Sequence, residues 1–349
     1  MSVEAARQAR GLSFEAQVIG AIMKKILRNI GIAAAVMATG ISFAASGPVL
    51  VEITSGTPHQ ALMAVAFDQG SGVAVGAGGQ IMTTQDTGKT WQPAAAPLPL
   101  GLLGVAIRQN LSVAVGQGGL VLVRDGGSVW NKVDSGSTER FFSASINARG
   151  QVVAVGSFGA VIASSDRGKT WKSIAPQWLQ FSDAQQGDGF QPHIYDVKLD
   201  DVGTITIVGE LGIILRSTDD GQKWSLLHKG DSATRKETAS LFALDMRADG
   251  VAFAVGQDGM ILKSADRGAT WAVQPSGTQA ILLGVSSSAA GGVIVTGMHD
   301  MLYSKDDGTT WAHVSDKSIG SSWFVGISRL NASSVVIVGN SGKIVRVDG

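Results

Sequence analysis

Six aspartates recur along the chain, each five residues before a tryptophan, and carboxylates repeated in this way could bind a metal ion or act as acids and bases. They are Asp86, Asp125, Asp166, Asp219, Asp266 and Asp306. A glycine follows each aspartate two residues later, and an aspartate that accepts turn N–H groups beside a glycine of positive φ is typical of a tight turn. Carboxylates in separate repeats would lie too far apart to converge. The pattern therefore favours structural turns and predicts neither a metal site nor a catalytic set.

Other residues that could catalyse hydrolysis are few in the segment beyond residue 50. The glutamates there are Glu52, Glu139, Glu210 and Glu237, the tyrosines are Tyr195 and Tyr303, and the whole chain has no cysteine. Glycoside hydrolysis needs two carboxylates roughly 5–10 Å apart. Because Tyr195 falls in a predicted inner strand and Tyr303 in a third strand, no tyrosine nucleophile paired with a glutamate is expected. Glu210 as a catalytic acid, and His299 with Asp300 as a proton-transfer or metal pair, remain open beside the simpler interpretations of a surface glutamate and an altered turn.

The elements that carry these residues are repeats. A short strand ending in glycine recurs at Gly76, Gly116, Gly156, Gly209, Gly256, Gly297 and Gly339. In all but one unit a second glycine follows three residues later, and a tryptophan follows in the first six units. Each unit contains four short β-rich runs bounded by glycine and aspartate. A period of about 40 residues with four strands is that of a propeller blade.

The two ends of the repeat region predict how the ring closes. The seventh unit stops at Gly349, after its third strand and without a fourth. The segment that begins at Leu50 has the spacing that follows Trp271 in the fifth unit, so it can supply the missing strand. We therefore expect an all-β fold, a seven-bladed β-propeller of four-stranded antiparallel blades over residues 47–349, with the last blade closed by the N-terminal strand.

Two insertions and the turns between second and third strands fall on one face of this propeller. The first insertion carries Trp178, Phe181, Phe190 and His193, which are either exposed for a partner or packed on the blade below. The same face receives further polar residues, namely Arg140, Glu210, Gln257, Asp258, His299 and Asp300. Since insertions on a rigid scaffold often carry function, we predict a partner-binding face here.

The turn sequences identify a resemblance. Residues 164–171 read Ser-Ser-Asp-Arg-Gly-Lys-Thr-Trp and residues 264–271 read Ser-Ala-Asp-Arg-Gly-Ala-Thr-Trp, which match the Asp-box, or BNR, repeat. Together with the Val-Gly-x-x-Gly turns and the N-terminal segment described below, these repeats resemble the photosystem II stability/assembly factor family of propellers. That resemblance implies an assembly chaperone or scaffold for a membrane-protein complex, without a cofactor.

The N-terminal segment and the composition bear on location. Residues 23–46 place basic residues before an apolar stretch and then small residues, the layout of a secretory signal peptide. Residues 1–22 are predicted to be an upstream extension, or to result from a translation start assigned too far upstream. The formal net charge is zero and only 16% of residues are charged, so no attraction to nucleic acid is expected. We expect an exported, periplasmic and monomeric protein, with peripheral membrane association possible.

Three functions follow from this sequence. The first is a non-enzymatic scaffold or assembly factor. The alternatives are an Asp-box glycoside hydrolase, similar to a sialidase or glucanase, and a lectin-like carbohydrate binder that uses the aromatic insertion.

Overall fold

The computed structural model describes residues 47–182, 189–230 and 238–349. The predicted segments 1–22 and 23–46 lie outside these described residues. The described chain forms seven separate sheets, each of four antiparallel strands, which confirms the seven-bladed propeller. Seven of the strands contact one another in sequence around the ring and line its centre. These inner strands are β2 (Leu62–Asp68), β6 (Leu102–Arg108), β10 (Phe141–Ile146), β14 (Ile194–Leu199), β18 (Leu241–Met246), β22 (Leu282–Ser287) and β26 (Phe324–Arg329).

The next two strands of each blade carry most of the buried apolar residues. The second strands are β3 (Ser71–Gly76), β7 (Leu111–Gly116), β11 (Val152–Gly156), β15 (Ile205–Gly209), β19 (Ala252–Gly256), β23 (Val293–Gly297) and β27 (Ser334–Gly339). The third strands are β4 (Ile81–Thr84), β8 (Val121–Asp125), β12 (Val161–Ser164), β16 (Ile214–Ser217), β20 (Ile261–Ser264), β24 (Met301–Ser304) and β28 (Ile344–Asp348). The second strands are buried on both faces, and apolar residues therefore predominate along them.

The outer strands are short and one of them comes from the other end of the repeat region. They are β5 (Gln92–Ala94), β9 (Asn131–Val133), β13 (Lys172–Ser173), β17 (Ser225–His228), β21 (Ala272–Gln274), β25 (Ala312–His313) and β1 (Val49–Thr54). Val51 of β1 pairs with Arg346 of β28, just as Ala272 pairs with Lys263 in the fifth blade. The N-terminal strand thus completes the seventh blade in the predicted register.

Every inner strand contains the same irregularity near its start. The pairing with the second strand shifts by one residue between Leu62 and Ala64, and equivalent shifts occur in the other six blades. A bulge of this kind leaves one residue unpaired and redirects its side chain. In this propeller the unpaired residue is the second one of each inner strand, which lines the central channel.

Candidate functional site

The propeller has two distinct faces. On one face, the turn between the second and third strands of a blade is hydrogen-bonded to the segment that leads into the inner strand. In the first blade the Ala77 N–H donates to the Ala61 carbonyl at 2.9 Å. We call this the tip face. On the other, the Asp-box turns bond to the hairpins after the inner strands, as in the Thr87 N–H to Gly70 carbonyl bond of 2.9 Å. The aspartate repeats and the partner-binding face predicted from the sequence therefore lie on opposite sides.

Four of the Asp-box carboxylates are turn anchors with one shared hydrogen-bond pattern. In the third blade, Asp166 accepts the Thr170 N–H at 2.9 Å, the Thr170 hydroxyl at 2.6 Å and the Ser164 hydroxyl at 2.7 Å. The residues that share this pattern are Asp86, Asp166, Asp266 and Asp306. Bonds to the backbone and hydroxyl of the following threonine lower the pKa of Asp306, Asp266 and Asp86 to about 2. These carboxylates stay ionised and engaged in their own turns.

Two of the six aspartates differ from that pattern. Asp219 accepts the Lys223 N–H at 2.9 Å, but lysine in place of threonine offers no hydroxyl. Asp125, in the most divergent of the six turns, makes a different set of contacts. Its carboxylate instead accepts both the Nε and the Nη2 of Arg167, at 2.9 and 2.7 Å, because Val123 stands where the other turns have serine or threonine. The pair joins the second blade to the third.

The first residue of most tip-face turns has a structural function. Its side chain accepts the N–H of the residue just before the inner strand, at 2.8 to 3.1 Å. The residues that do this are Gln117, Ser157, Glu210, Gln257 and Asn340. Glu210 and Gln257, both predicted to face a partner, therefore have side chains already engaged in holding the entry to β14 and β18.

Glu210 also reaches a tyrosine. The Tyr195 hydroxyl lies 3.5 Å from Glu210 Oε1. The inner-strand bulge turns Tyr195 toward the tip face, which the sequence pattern did not reveal. Burial, followed by the charge and the hydrogen bond of Glu210, raises the pKa of Tyr195 to about 12. The phenol is therefore protonated at neutral pH, the opposite of what an activated nucleophile requires.

A ring of apolar side chains surrounds the central channel near the tip face. Each blade contributes the second residue of its inner strand, and all of these residues are half-buried. The ring consists of Met63, Leu103, Phe142, Tyr195, Phe242, Leu283 and Val325. It lines a cavity of about 410 Å³. The sequence analysis missed this ring, although a signal existed: every inner strand begins with two large apolar residues, whereas strict alternation would give only one.

One side of the ring is aromatic. The Tyr195 ring centroid lies 5.4 Å from that of Phe142 and 4.9 Å from that of Phe242, across three successive blades. His193 continues this row outward, 6.2 Å from Phe142 and 4.9 Å from Phe158. We call these five residues the aromatic wall. Phe158 ends the wall at the surface with 59% of its area exposed.

Phe158 occupies a strained turn position. Its φ is +50°, in the left-handed region that disfavours residues with a side chain, and glycine holds the same position in the first two blades. The His193 Nδ1 accepts the Phe158 N–H at 3.0 Å, so this nitrogen of the imidazole is unprotonated here. Leu211, Asp258, His299 and Ser341 hold the equivalent position in the other blades, also at positive φ, so this conformation is a feature of the repeated turn.

Arg140 lies at the edge of the same opening. Its side chain is exposed and lines both the channel cavity and a neighbouring cleft that contains Phe158 and His193. Among the described residues Arg140 makes no ion pair, and the carboxylate of the adjacent Glu139 accepts the Ser157 hydroxyl at 2.7 Å.

The aromatic residues of the first insertion are packed on the blade. Trp178, Phe181 and Phe190 are 7%, 9% and 8% exposed and belong to one apolar cluster with β14 and β15. The Trp178 Nε1 donates to the Gly159 carbonyl at 3.0 Å. Of the two arrangements that the sequence allowed, the structure has the packed one, so these side chains offer a partner little surface. The rest of the insertion, residues 183–188, lies outside the described part of the chain.

The remaining predicted residues lie on the sixth-blade side of the tip face. Asp258 and His299 are exposed at left-handed turn positions, with φ of +54° and +59°. Asp300 does not pair with His299 in the structure. Its carboxylate accepts hydrogen bonds from the His313 Nδ1 at 2.8 Å, the Thr278 hydroxyl at 2.7 Å and the Met301 N–H at 2.8 Å. Burial raises the pKa of Asp300, but these hydrogen bonds outweigh burial and the pKa is lowered overall. The altered turn is thus a structural variant that binds the outer strand.

Within residues 47–182, 189–230 and 238–349, no group of three or more histidine, aspartate or glutamate side chains is arranged to hold a metal ion. Across the same ranges, no helix has the length and apolarity needed to cross a bilayer.

The chain is similar to known proteins in sequence over part of its length. Residues 51–177 match the family model described as photosynthesis system II assembly factor YCF48, which confirms the expected resemblance over β1 and the first three blades. A search of curated proteins finds no significant match.

The structure is similar to solved propellers over most of its length. A structure described as YCF48 bound to D1 peptide has a TM-score of 0.67 and 19% identity, covering 87% of this chain and 97% of that one. YCF48 from Cyanidioschyzon merolae has a TM-score of 0.68 and 18% identity, covering 86% and 98%. A streptogramin B lyase has a TM-score of 0.70 and 12% identity, also covering 86% and 98%. At such identities the likeness establishes the fold alone, and the fold accommodates both binding proteins and an enzyme.

Proposed function

We propose that this protein is an exported, non-enzymatic scaffold or assembly factor of the photosystem II assembly factor type, and that it binds a segment of a membrane protein at the tip face. The observation that carries the proposal is the apolar ring around the channel, to which every blade contributes one half-buried side chain. Apolar cavities with few polar groups at their edge are typical of binding sites.

The resemblances support a protein ligand. The solved relative named above is described as bound to a D1 peptide, and the sequence match to that family covers residues 51–177. The ring, the aromatic wall and Arg140 offer a peptide both apolar area and one positive charge. Protein interfaces are often centred on aromatic and arginine residues of this kind.

Recovery of a partner from membranes tests the proposal. The tagged chain is expressed in its own organism, membranes are solubilised gently, and copurifying proteins are identified by mass spectrometry. We expect one integral membrane complex, recovered with the wild type but not with Leu283→Asp, which places a charge in the ring. Val202→Asp is the matched control, because Val202 is 80% exposed in a hairpin on the opposite face. Failure to enrich a membrane protein with the wild type would contradict the proposal.

Export is tested separately by cell fractionation. We expect the mature chain in the periplasm with a new N-terminus near residue 46, because residues 23–46 have the layout of a signal peptide. A cytoplasmic chain that retains residues 23–46 would contradict export while leaving the binding site unaffected.

The Tyr195–Glu210 contact favours a glycoside hydrolase as the second candidate function. A tyrosine beside a glutamate could act as a nucleophile with its base, but the high pKa of Tyr195 opposes this reaction. Hydrolysis of aryl glycoside substrates by the wild type, abolished by Glu210→Gln, would support the enzyme. An unchanged substrate would support the binding protein.

A further inference from the structure

The channel mouth combines three features that select for a particular peptide. They are the apolar ring, the aromatic wall and the unpaired Arg140 at the edge. We propose that the segment bound here carries a large apolar side chain, preferably aromatic, that enters the ring, and next to it a carboxylate that pairs with Arg140. This inference rests on the proposed function in taking the ligand to be a protein segment.

The cavity has room for even the largest side chain and for neighbouring atoms of the bound segment. Its volume of about 410 Å³ lies at the lower end of the ~300–1,000 Å³ range of ligand pockets. The wall presents the faces and edges of aromatic rings from three adjacent inner strands. The centroids of neighbouring rings lie 4.9 to 5.4 Å apart. Aromatic pairs favour centroid separations of about 4.5–7 Å, so an inserted aromatic ring can extend the existing row.

The polar groups deeper in the channel favour an apolar over a cationic anchor. Asp196 is the carboxylate beneath the wall, and its oxygens accept the Ser143 hydroxyl at 2.6 Å and the Leu244 N–H at 2.8 Å. The Lys198 Nζ lies 3.7 Å from the same carboxylate. Asp196 thus ties three blades together and already has a cation beside it, so it has little attraction left for an arginine or lysine of the ligand.

The charge at the edge favours an acidic neighbour. Two carboxylates lie near the wall on the tip-face side, and each already accepts a hydrogen bond: Glu210 from the His193 N–H at 2.8 Å and Glu139 from the Ser157 hydroxyl at 2.7 Å. Arg140 forms no ion pair with either of them. Arg140 and Phe142 are two residues apart in an extended chain, which separates their Cα atoms by roughly 7 Å. The ligand carboxylate should therefore follow or precede the anchor by one or two residues.

Selection from a random peptide library displayed on phage tests the inference. The wild-type chain should enrich sequences with Trp, Phe, Tyr or Leu and an Asp or Glu one or two residues away. Arg140→Glu should change the preferred neighbour to Lys or Arg, a change of specificity that misfolding cannot mimic. Synthesised peptides from the selection should bind Arg140→Glu about tenfold more weakly than the wild type.

Two further variants separate the ring from the fold. Leu283→Asp should abolish enrichment and Val202→Asp should not. Phe158→Gly removes the exposed end of the wall and relieves a left-handed φ, so it should weaken peptide binding while the chain remains folded.

Several results would overturn the inference: no enriched peptides, a basic anchor, or enriched peptides that bind Leu283→Asp and Arg140→Glu as well as the wild type. The proposed function fails independently. If the peptide motif is enriched but no membrane protein is recovered from cells, the scaffold proposal fails and the specificity stands. If a membrane complex is recovered equally by Leu283→Asp, the scaffold role stands, but binding at the apolar ring and the inference built on it both fail.

Discussion

Replacement of Glu210 by alanine tests whether this glutamate is structural or catalytic. In the structure its Oε2 accepts the N–H of His193 at the entry to the fourth inner strand, over 2.8 Å. Gln117 and Gln257 make the equivalent bond in other blades through Oε1, at 3.0 Å each. Glu210→Ala removes the acceptor and leaves a part-buried N–H unpaired, whereas Glu210→Gln supplies the amide oxygen that two other blades already use.

The expected loss can be estimated from hydrogen-bond energetics. A hydrogen bond to a charged group contributes about 1.5–3 kcal/mol, and a neutral one about 0.5–1.5 kcal/mol. Glu210→Ala should therefore lower the free energy of unfolding by about 2 kcal/mol, and Glu210→Gln by less than about 1 kcal/mol. For a domain of roughly 300 residues, 2 kcal/mol corresponds to a decrease in Tm of about 3 °C.

Urea unfolding followed by tryptophan fluorescence, with calorimetry for Tm, measures these differences. Glu52→Ala is the control, because Glu52 is exposed on the outer strand β1 and its side chain makes no hydrogen bond to the described residues. A glutamine variant as unstable as the alanine variant, or an alanine variant as stable as Glu52→Ala, would refute the reasoning.

Three further predictions follow from the structure. Removal of residues 47–54 leaves the outer edge of β28 without a partner strand. The loss of these hydrogen bonds should lower the free energy of unfolding by roughly 5 kcal/mol, and the exposed edge should cause aggregation detectable by light scattering. Phe158→Gly should change the unfolding free energy by less than about 1 kcal/mol, because relief of strain offsets chain entropy, whereas Leu211→Gly at the equivalent position should cost about 1–2 kcal/mol through lost packing. The folded state lowers the pKa of Asp306 to about 2. The stabilisation that ionised Asp306 gives the folded state is therefore complete above the unfolded-state pKa of about 3.9, and it is lost as the pH falls toward 2. The urea midpoint of Asp306→Asn should accordingly lie below that of the wild type at pH 5 and approach it near pH 2.5.

The sequence by itself determined the repeat, the blade count and the closure. Glycine and aspartate positions specify turns through local backbone chemistry, and their period is independent of long-range contacts. The pairing of the Leu50 segment with β28 was also predictable. The seventh unit lacks a fourth strand, and the Leu50 segment is the one strand of the repeat region that belongs to no other unit.

Only the tertiary structure decided which side chains meet at the tip face. The bulge in each inner strand rotates residues such as Phe142 and Tyr195 into the channel, and a bulge depends on pairing that no single segment encodes. The burial of Trp178 depends on Gly159 of another turn, and the engagement of Glu210 depends on the backbone of His193. Contacts between blades arise from ring geometry, so the paired apolar residues at the start of each inner strand became interpretable only once the seven strands were placed around the channel.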